Sequence, residues 1–115
     1  MVDSNCIFCK IIAGEIPSAK VYEDDKMLVF KDIEPKAKVH LLAIPKDHFK
    51  LLEEVDKDRA NLLGYMLSKI PAIARENGCT NGYRLIVNQG EDGGQAVFHL
   101  HIHILGGEKL PVDIL

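Results

Sequence analysis

The segment HLHIHIL, residues 99–105, alternates histidine with aliphatic residues. This two-residue period constrains the fold more than any other feature, because successive side chains take opposite faces only in a strand. It predicts His99, His101 and His103 in one row, with Leu100, Ile102 and Ile104 turned into a core. Three of the five histidines stand there. A row of imidazoles is costly to bury without partners, so it needs a substrate, a metal or water.

Periodicity and breakers predict the other elements. AKVYED and MLVFKDI, on either side of Asp25 and Lys26, read as a hairpin. HLLAIPK, from His40, reads as a third strand closed by Pro45. Between residues 57 and 77, Leu63, Met66, Leu67, Ile70, Ile73 and Ala74 recur at helical spacing. Asp56 is the expected N-cap and Gly78 the terminator. Pro71 lies inside this helix and predicts a kink, since it cannot donate to the Leu67 carbonyl. FCKIIAGEIP predicts a short helical turn ending near Gly14 and Pro17. YRLIVN and VFHLHIHIL are the last two predicted strands, joined by QGEDGGQA. Few of these elements could form a βαβ crossover. The expected fold is therefore α+β: a five-stranded, mostly antiparallel sheet with one long and one short helix, in one domain over residues 1–115.

Composition narrows the partners. Fourteen Lys and Arg against seventeen Asp and Glu leave a net charge of −3, without the basic field that drives nucleic-acid binding. No stretch approaches the roughly 18 apolar residues of a membrane span. MVDSNCIFC lacks the basic start and long apolar run of a signal peptide. Three cysteines are an odd number for a disulfide scaffold and favour a reducing compartment. A cytoplasmic location is expected, with no nucleic-acid or membrane partner.

What could meet the histidine row? Same-face neighbours on a strand lie about 6.5–7 Å apart, so three span too far for one tetrahedral ion with bonds near 2.0 Å. Two neighbours could share an ion. A phosphate fits better, since its oxygens and phosphorus can meet different rings. In NQGEDGGQA, Gly90, Gly93 and Gly94 would let backbone amides approach an anion. The same glycines also suit an ordinary hairpin loop, and no Lys-Ser or Lys-Thr of a P-loop follows. Cys6 and Cys9 form a C-x-x-C pair, open to readings as a redox couple, a metal half-site or two small core residues. The absence of a thioredoxin-like βαβ context weakens the redox reading. Asp32, before Pro35, reads as a turn former or a hydrogen-bond acceptor for a ligand.

HLHIHIL, with FKDIEP and GGQ, resembles the histidine triad (HIT) family. The resemblance runs through IFCKIIAGEIPSAKVYED, FKDIEPKAKVHLLAIPKDH and NGYRLIVNQGEDGGQAVFHLHIHILGG, nearly the whole chain. It is greatest to the branch that hydrolyses adenosine phosphoramidates. The sister nucleotidyltransferase branch usually has glutamine in the third triad position, where this chain keeps His103.

The resemblance implies the following roles. His101 attacks the α-phosphorus and becomes a nucleotidyl-histidine that water hydrolyses. His103 donates to a phosphate oxygen, and His99 and His40 support the triad. Asn88 and the backbone of Gly94, Gln95 and Ala96 complete a phosphate cradle. Asp32 accepts from ribose hydroxyls, and Phe8, Ile11, Ile16, Phe30, Ile33 and Leu42 form the base pocket. By composition alone, those apolar residues read as core. Cys6, Cys9, His48 and His99 match a structural zinc site of some bacterial relatives, while Cys79 stands outside it. A homodimer binding a purine nucleotide such as AMP is implied, with no cofactor needed for catalysis. Two features depart from close relatives: Ala96 replaces a frequent serine, and the chain ends KLPVDIL where many have Trp-Pro-Pro.

Overall fold

A computed structural model describes residues 2–112. Its elements are α1 (Ile7–Ile12), β1 (Lys20–Glu23), β2 (Met27–Lys31), β3 (Val39–Pro45), a 3-10 turn (Leu52–Glu54), α2 (Lys57–Glu76), β4 (Tyr83–Ile86) and β5 (Ile102–Gly106). The strands form one antiparallel sheet in the order β1-β2-β3-β5-β4. This is the expected α+β arrangement, with β4 at an edge.

Alternation along the central strands sorts residues into layers. Met27 and Val29 of β2, Leu41 and Ala43 of β3, and Ile102 and Ile104 of β5 form one core with Met66, Ile70, Ile73 and Ala74 of α2. Leu28 and Phe30 of β2 and Leu42 and Ile44 of β3 form a second core with Cys6, Phe8, Cys9 and Ile11. The sheet thus lies between the two helices. Central strands covered on both faces read as continuous apolar runs, and both β2 and β3 do. By the same alternation, His40 and His103 stand on the face covered by α1. Leu42 pairs with His103 and His40 with Leu105, so the two imidazoles sit on adjacent strands.

The long helix begins as its sequence requires. The Asp56 carboxylate accepts from the Arg59 amide at 2.9 Å, satisfying one of the free N–H groups of the first turn. Asn77 caps the other end, followed by Gly78 at φ 107°, a conformation that favours glycine. The helix continues through Pro71. Leu67 is 49% exposed and falls off the packed stripe, whose buried members are Met66, Ile70, Ile73 and Ala74. Asp24 anchors the β1–β2 hairpin to α2, accepting from the hydroxyls of Tyr22 and Tyr65 and the amides of Lys26 and Met27. Burial would raise this carboxyl, but those donors outweigh it and hold it down to about 2.

The last two strands are shorter than expected. β4 stops at Ile86, and β5 begins only at Ile102. The reason is a lack of ladder partners: β3 pairs with β5 from Gly106 back to Ile102, where its partner is Ala43, and β4 pairs only as far back as His103. Before Ile102 the chain turns to the segment after β3. Leu100 donates its amide to the Phe49 carbonyl at 2.7 Å. Much of the predicted triad strand is therefore irregular backbone.

Candidate functional site

That irregularity divides the histidine row. Only His103 lies on β5; His99 and His101 precede it. The expectation of three rings in one row on a strand face is corrected accordingly. His99 turns toward the cysteines, and His101 stays beside His103.

Around His99, four ligand atoms converge. Its Nδ1 lies 3.3 Å from Cys6 Sγ, 3.7 Å from Cys9 Sγ and 3.1 Å from His48 Nδ1. His48 Nδ1 lies 3.5 Å from Cys9 Sγ. On its far side, His99 Nε2 is 2.8 Å from the Pro45 carbonyl. A carbonyl only accepts, so Nε2 carries the proton and Nδ1 offers its lone pair to the cluster. A tetrahedral zinc ion, with Zn–S near 2.3 Å and Zn–N near 2.0–2.1 Å, sets sulfur and nitrogen ligands about 3.5 Å apart and two nitrogens about 3.3 Å apart. The observed separations match these edges within a few tenths of an ångström. All four residues are buried, and their ligand atoms lie within 4.8 Å of one another. The donor set fits a closed, four-coordinate ion.

The second cluster holds His101, His103, His40 and Asp32. His101 Nδ1 donates to the His99 carbonyl at 2.7 Å, which leaves the Nε2 lone pair free. Its ring meets Phe8 edge-on at 5.2 Å between centroids and His103 at 5.0 Å. His40 Nε2 lies 2.9 Å from His103 Nδ1 and 3.4 Å from Asp32 Oδ2. Burial lowers the pKa of His40, His101 and His103, the last to about 4, aided there by His101 and His40. These rings are neutral at pH 7. Asp32 Oδ1 accepts from the Glu34 amide at 2.8 Å while Oδ2 faces His40, so the carboxylate shapes the turn and touches the cluster.

The other candidate residues are distributed less simply. Phe8, Ile11, Phe30 and Leu42 are packed into the α1-side core, with Ile16 against its margin. Ile33 is 93% exposed and closes no pocket in this state. Asn88 Nδ2 donates to the Gly93 carbonyl at 2.9 Å, which bridges the glycine-rich loop. The expected cradle is partly spent on that loop's own turns: Gly94 donates its amide to Glu91 and Gln95 to Gly90. Gln95 is buried, its side chain donating to the Lys50 and Val97 carbonyls and accepting from the Gly90 amide. It holds the loop rather than offering its amide group to a ligand. Ala96 is exposed. Of KLPVDIL, only residues 109–112 lie within the described part of the chain.

Sequence reasoning passed over the Pro45 carbonyl and the Lys36 amide, which donates to His40 Nδ1 at 3.0 Å. Every residue has a carbonyl and all but proline an amide N–H, so no residue type marks them. A surface cleft of about 430 Å³ is lined by Thr80, Asn81, Tyr83, Arg84, Glu108 and Lys109 among others. No histidine lines it, whereas a smaller cleft of about 230 Å³ is bordered by Asp32 and His40 of the second cluster.

Known proteins resemble this chain over most of its length. Residues 5–111 match the family model described as "Scavenger mRNA decapping enzyme C-term binding". Protein HitA of Neisseria gonorrhoeae is 55% identical over 102 residues, 89% of this chain and 95% of that protein. The chain belongs to the histidine triad (HIT) family. Its relatives include a 14 kDa zinc-binding protein of Zea mays, 44% identical over 110 residues, 94% of this chain and 86% of that protein. A histidine triad protein of Clostridium difficile superposes with a TM-score of 0.91 at 48% identity, covering 96% of this chain and 97% of the other. A HIT family hydrolase of Legionella pneumophila Philadelphia 1 gives 0.90 at 44% identity, covering 95% and 98%.

The lowered histidine pKa values set a stability profile. A group whose folded pKa lies below its unfolded value contributes fully above the unfolded pKa, near 6.5, and that contribution is lost as pH falls toward the folded one. The urea midpoint should therefore fall between pH 7 and pH 4.5, and fall less in His103→Ala. Equal slopes in the two proteins would show that His103 ionises as freely folded as unfolded.

Proposed function

We propose that this HIT protein hydrolyses purine nucleoside 5′-monophosphoramidates through a nucleotidyl-histidine on His101. One observation carries the reading: the His99 carbonyl holds the His101 proton on Nδ1, leaving a neutral Nε2 lone pair beside His103. The hydrolase named among the superposed structures supports the reaction class.

Nε2 forms a bond to the α-phosphorus as the phosphorus–nitrogen bond to the leaving amine breaks, and the amine takes a proton from solvent. The phosphorylated ring is then cationic, and its Nδ1–H remains on the His99 carbonyl, which spreads that charge. Water next attacks phosphorus, the phosphorus–Nε2 bond breaks, and a nucleoside monophosphate and a proton leave. His103 donates to a phosphate oxygen as negative charge builds there. Asp32 holds the ribose hydroxyls, and Asn88 and the 94–96 backbone border the phosphate. A base entering over Phe8, Ile11, Ile16, Phe30 and Leu42 would be covered by Ile33, whose exposed side chain has room to close. Ala96 cannot supply a hydroxyl to the leaving group, which favours as a second reading a nucleotide-binding regulatory module with slow turnover.

His101→Ala should lose phosphoramidate turnover by at least about 10³-fold and still bind AMP. Near-native turnover in that variant would exclude His101 as the nucleophile. Slow native turnover of every phosphoramidate, with tight AMP binding, would favour the regulatory reading.

We also propose that Cys6, Cys9, His48 and His99 hold a structural zinc ion, a reading supported by the separations of their ligand atoms and by the zinc-binding name of the maize relative. Bound there, zinc supplies no open position; it joins α1 to the segments after β3 and before β5. Metal analysis should find about one zinc per chain, and Cys6→Ser should lower the melting temperature. No metal together with an unchanged melting temperature would make the cysteines ordinary core.

The active form is proposed to be a cytoplasmic homodimer. Tyr83 and Leu85 on edge strand β4, and Val87 just after it, are each 37–38% exposed, and an open edge favours pairing. Light scattering should give twice the chain mass at micromolar concentration; a monomer would remove this claim.

A further inference from the structure

Asp32, His40 and His103 place a carboxylate and two imidazoles within 4.8 Å of one another. By residue type this is a two-histidine, one-carboxylate set of the kind that holds a divalent metal. The hydrogen positions argue against a metal there. The Lys36 amide points at His40 Nδ1 from 3.0 Å. An amide N–H can only donate, so Nδ1 holds a lone pair and the neutral ring carries its proton on Nε2. That proton faces His103 Nδ1 at 2.9 Å, with Asp32 Oδ2 at 3.4 Å as a second acceptor. His103 Nδ1 is therefore an acceptor too, and the neutral His103 ring carries its own proton on Nε2. A metal on His40 Nε2 would move the proton to Nδ1, where it would oppose the Lys36 N–H.

We propose that the Lys36 backbone amide is a positioning group: by keeping His40 Nδ1 an acceptor, it sets the protons of His40 and His103 on Nε2 and makes this cluster a chain of hydrogen bonds rather than a second metal site. Burial keeps both rings neutral at pH 7, the condition under which the chain has one sense. Its end is a His103 Nε2–H free to donate to a phosphate oxygen. The neighbouring ring carries the opposite tautomer, because His101 meets a carbonyl where His40 meets an amide. Two backbone groups thus make one ring an electron-pair donor and the other a hydrogen-bond donor, with centroids 5.0 Å apart. The catalytic meaning of this arrangement rests on the proposed hydrolysis; the proton positions do not.

The test is long-range ¹H–¹⁵N NMR of the full chain labelled with [¹⁵N]histidine, at pH 7.5. His40 and His103 should show protonated Nε2 and lone-pair Nδ1, and His101 the reverse. A proton on Nδ1 of His40 or His103 overturns the proposal. Zinc added beyond the first equivalent should leave the His40 and His103 shifts in place; movement of either would make the cluster a metal site and overturn it. Lys36→Pro deletes the N–H, while Lys36→Ala keeps it and should keep the His40 tautomer. In Lys36→Pro the Nε2–H form of His103 should lose its dominance, and kcat for an adenosine phosphoramidate should fall about tenfold or more with KM little changed. Unaltered tautomers in a folded Lys36→Pro chain would overturn the role of Lys36. If that variant does not fold, the native spectra and zinc titration still decide. The expected tautomers with no turnover of any phosphoramidate would sink the hydrolase reading and leave this one standing.

Discussion

The site depends on the backbone turn at His99. One residue does three jobs there: its Nδ1 faces Cys6, Cys9 and His48, its Nε2 holds the Pro45 carbonyl, and its own carbonyl holds His101. His99 is wholly buried, and leaving a buried polar group unpaired costs about 1–3 kcal/mol. Each of these bonds therefore constrains the others. Movement of the His99 peptide would release the His101 proton and disturb the Cys-His cluster together. The chemistry of one cluster and the support offered by the other share a single residue.

The sheet explains why this turn forms where it does. β3 and β5 carry aliphatic residues into both cores, which holds His40 and His103 side by side on the α1 face. Beyond Ile102 the ladder has no further partner, and the chain satisfies its backbone through Phe49 instead. Apolar packing sets the platform, while the backbone groups left over at its end set the protons. Phe8 links the two levels, since the same ring packs in the α1-side core and lies edge-on to His101.

Gln95 and Ile33 show where reading by residue role reaches its limit. Both stand in segments that resemble the family's ligand-binding loops. Gln95 is consumed in holding its own loop to Lys50, and Ile33 stands in solvent. A motif states which residues are present, but not how many of their hydrogen-bonding groups remain after the loop has satisfied itself. Asp32 retains both possibilities, with one oxygen in the turn and the other on His40.

Much was already legible in the sequence. Period-two alternation marked the strands, Asp56 and Gly78 marked the ends of the long helix, and the histidine, cysteine and FKDIEP motifs marked the family and the candidate site residues. These signals are local or nearly so, and local patterns survive in a one-dimensional string. The His99 carbonyl that meets His101 and the Lys36 amide that meets His40 lie close in sequence, but the partners that gather the rings into two clusters do not. Cys6 meets His99 across 93 residues, His40 meets His103 across 63, and the Pro45 carbonyl meets His99 across 54. The decisive partners include a carbonyl and an amide, groups that nearly every residue possesses and no letter distinguishes. Sequence therefore determined the inventory of the site and the strands that carry it. Only the tertiary structure decided that the triad divides at residue 101, because only there does the chain run out of strand partners and turn His99 away.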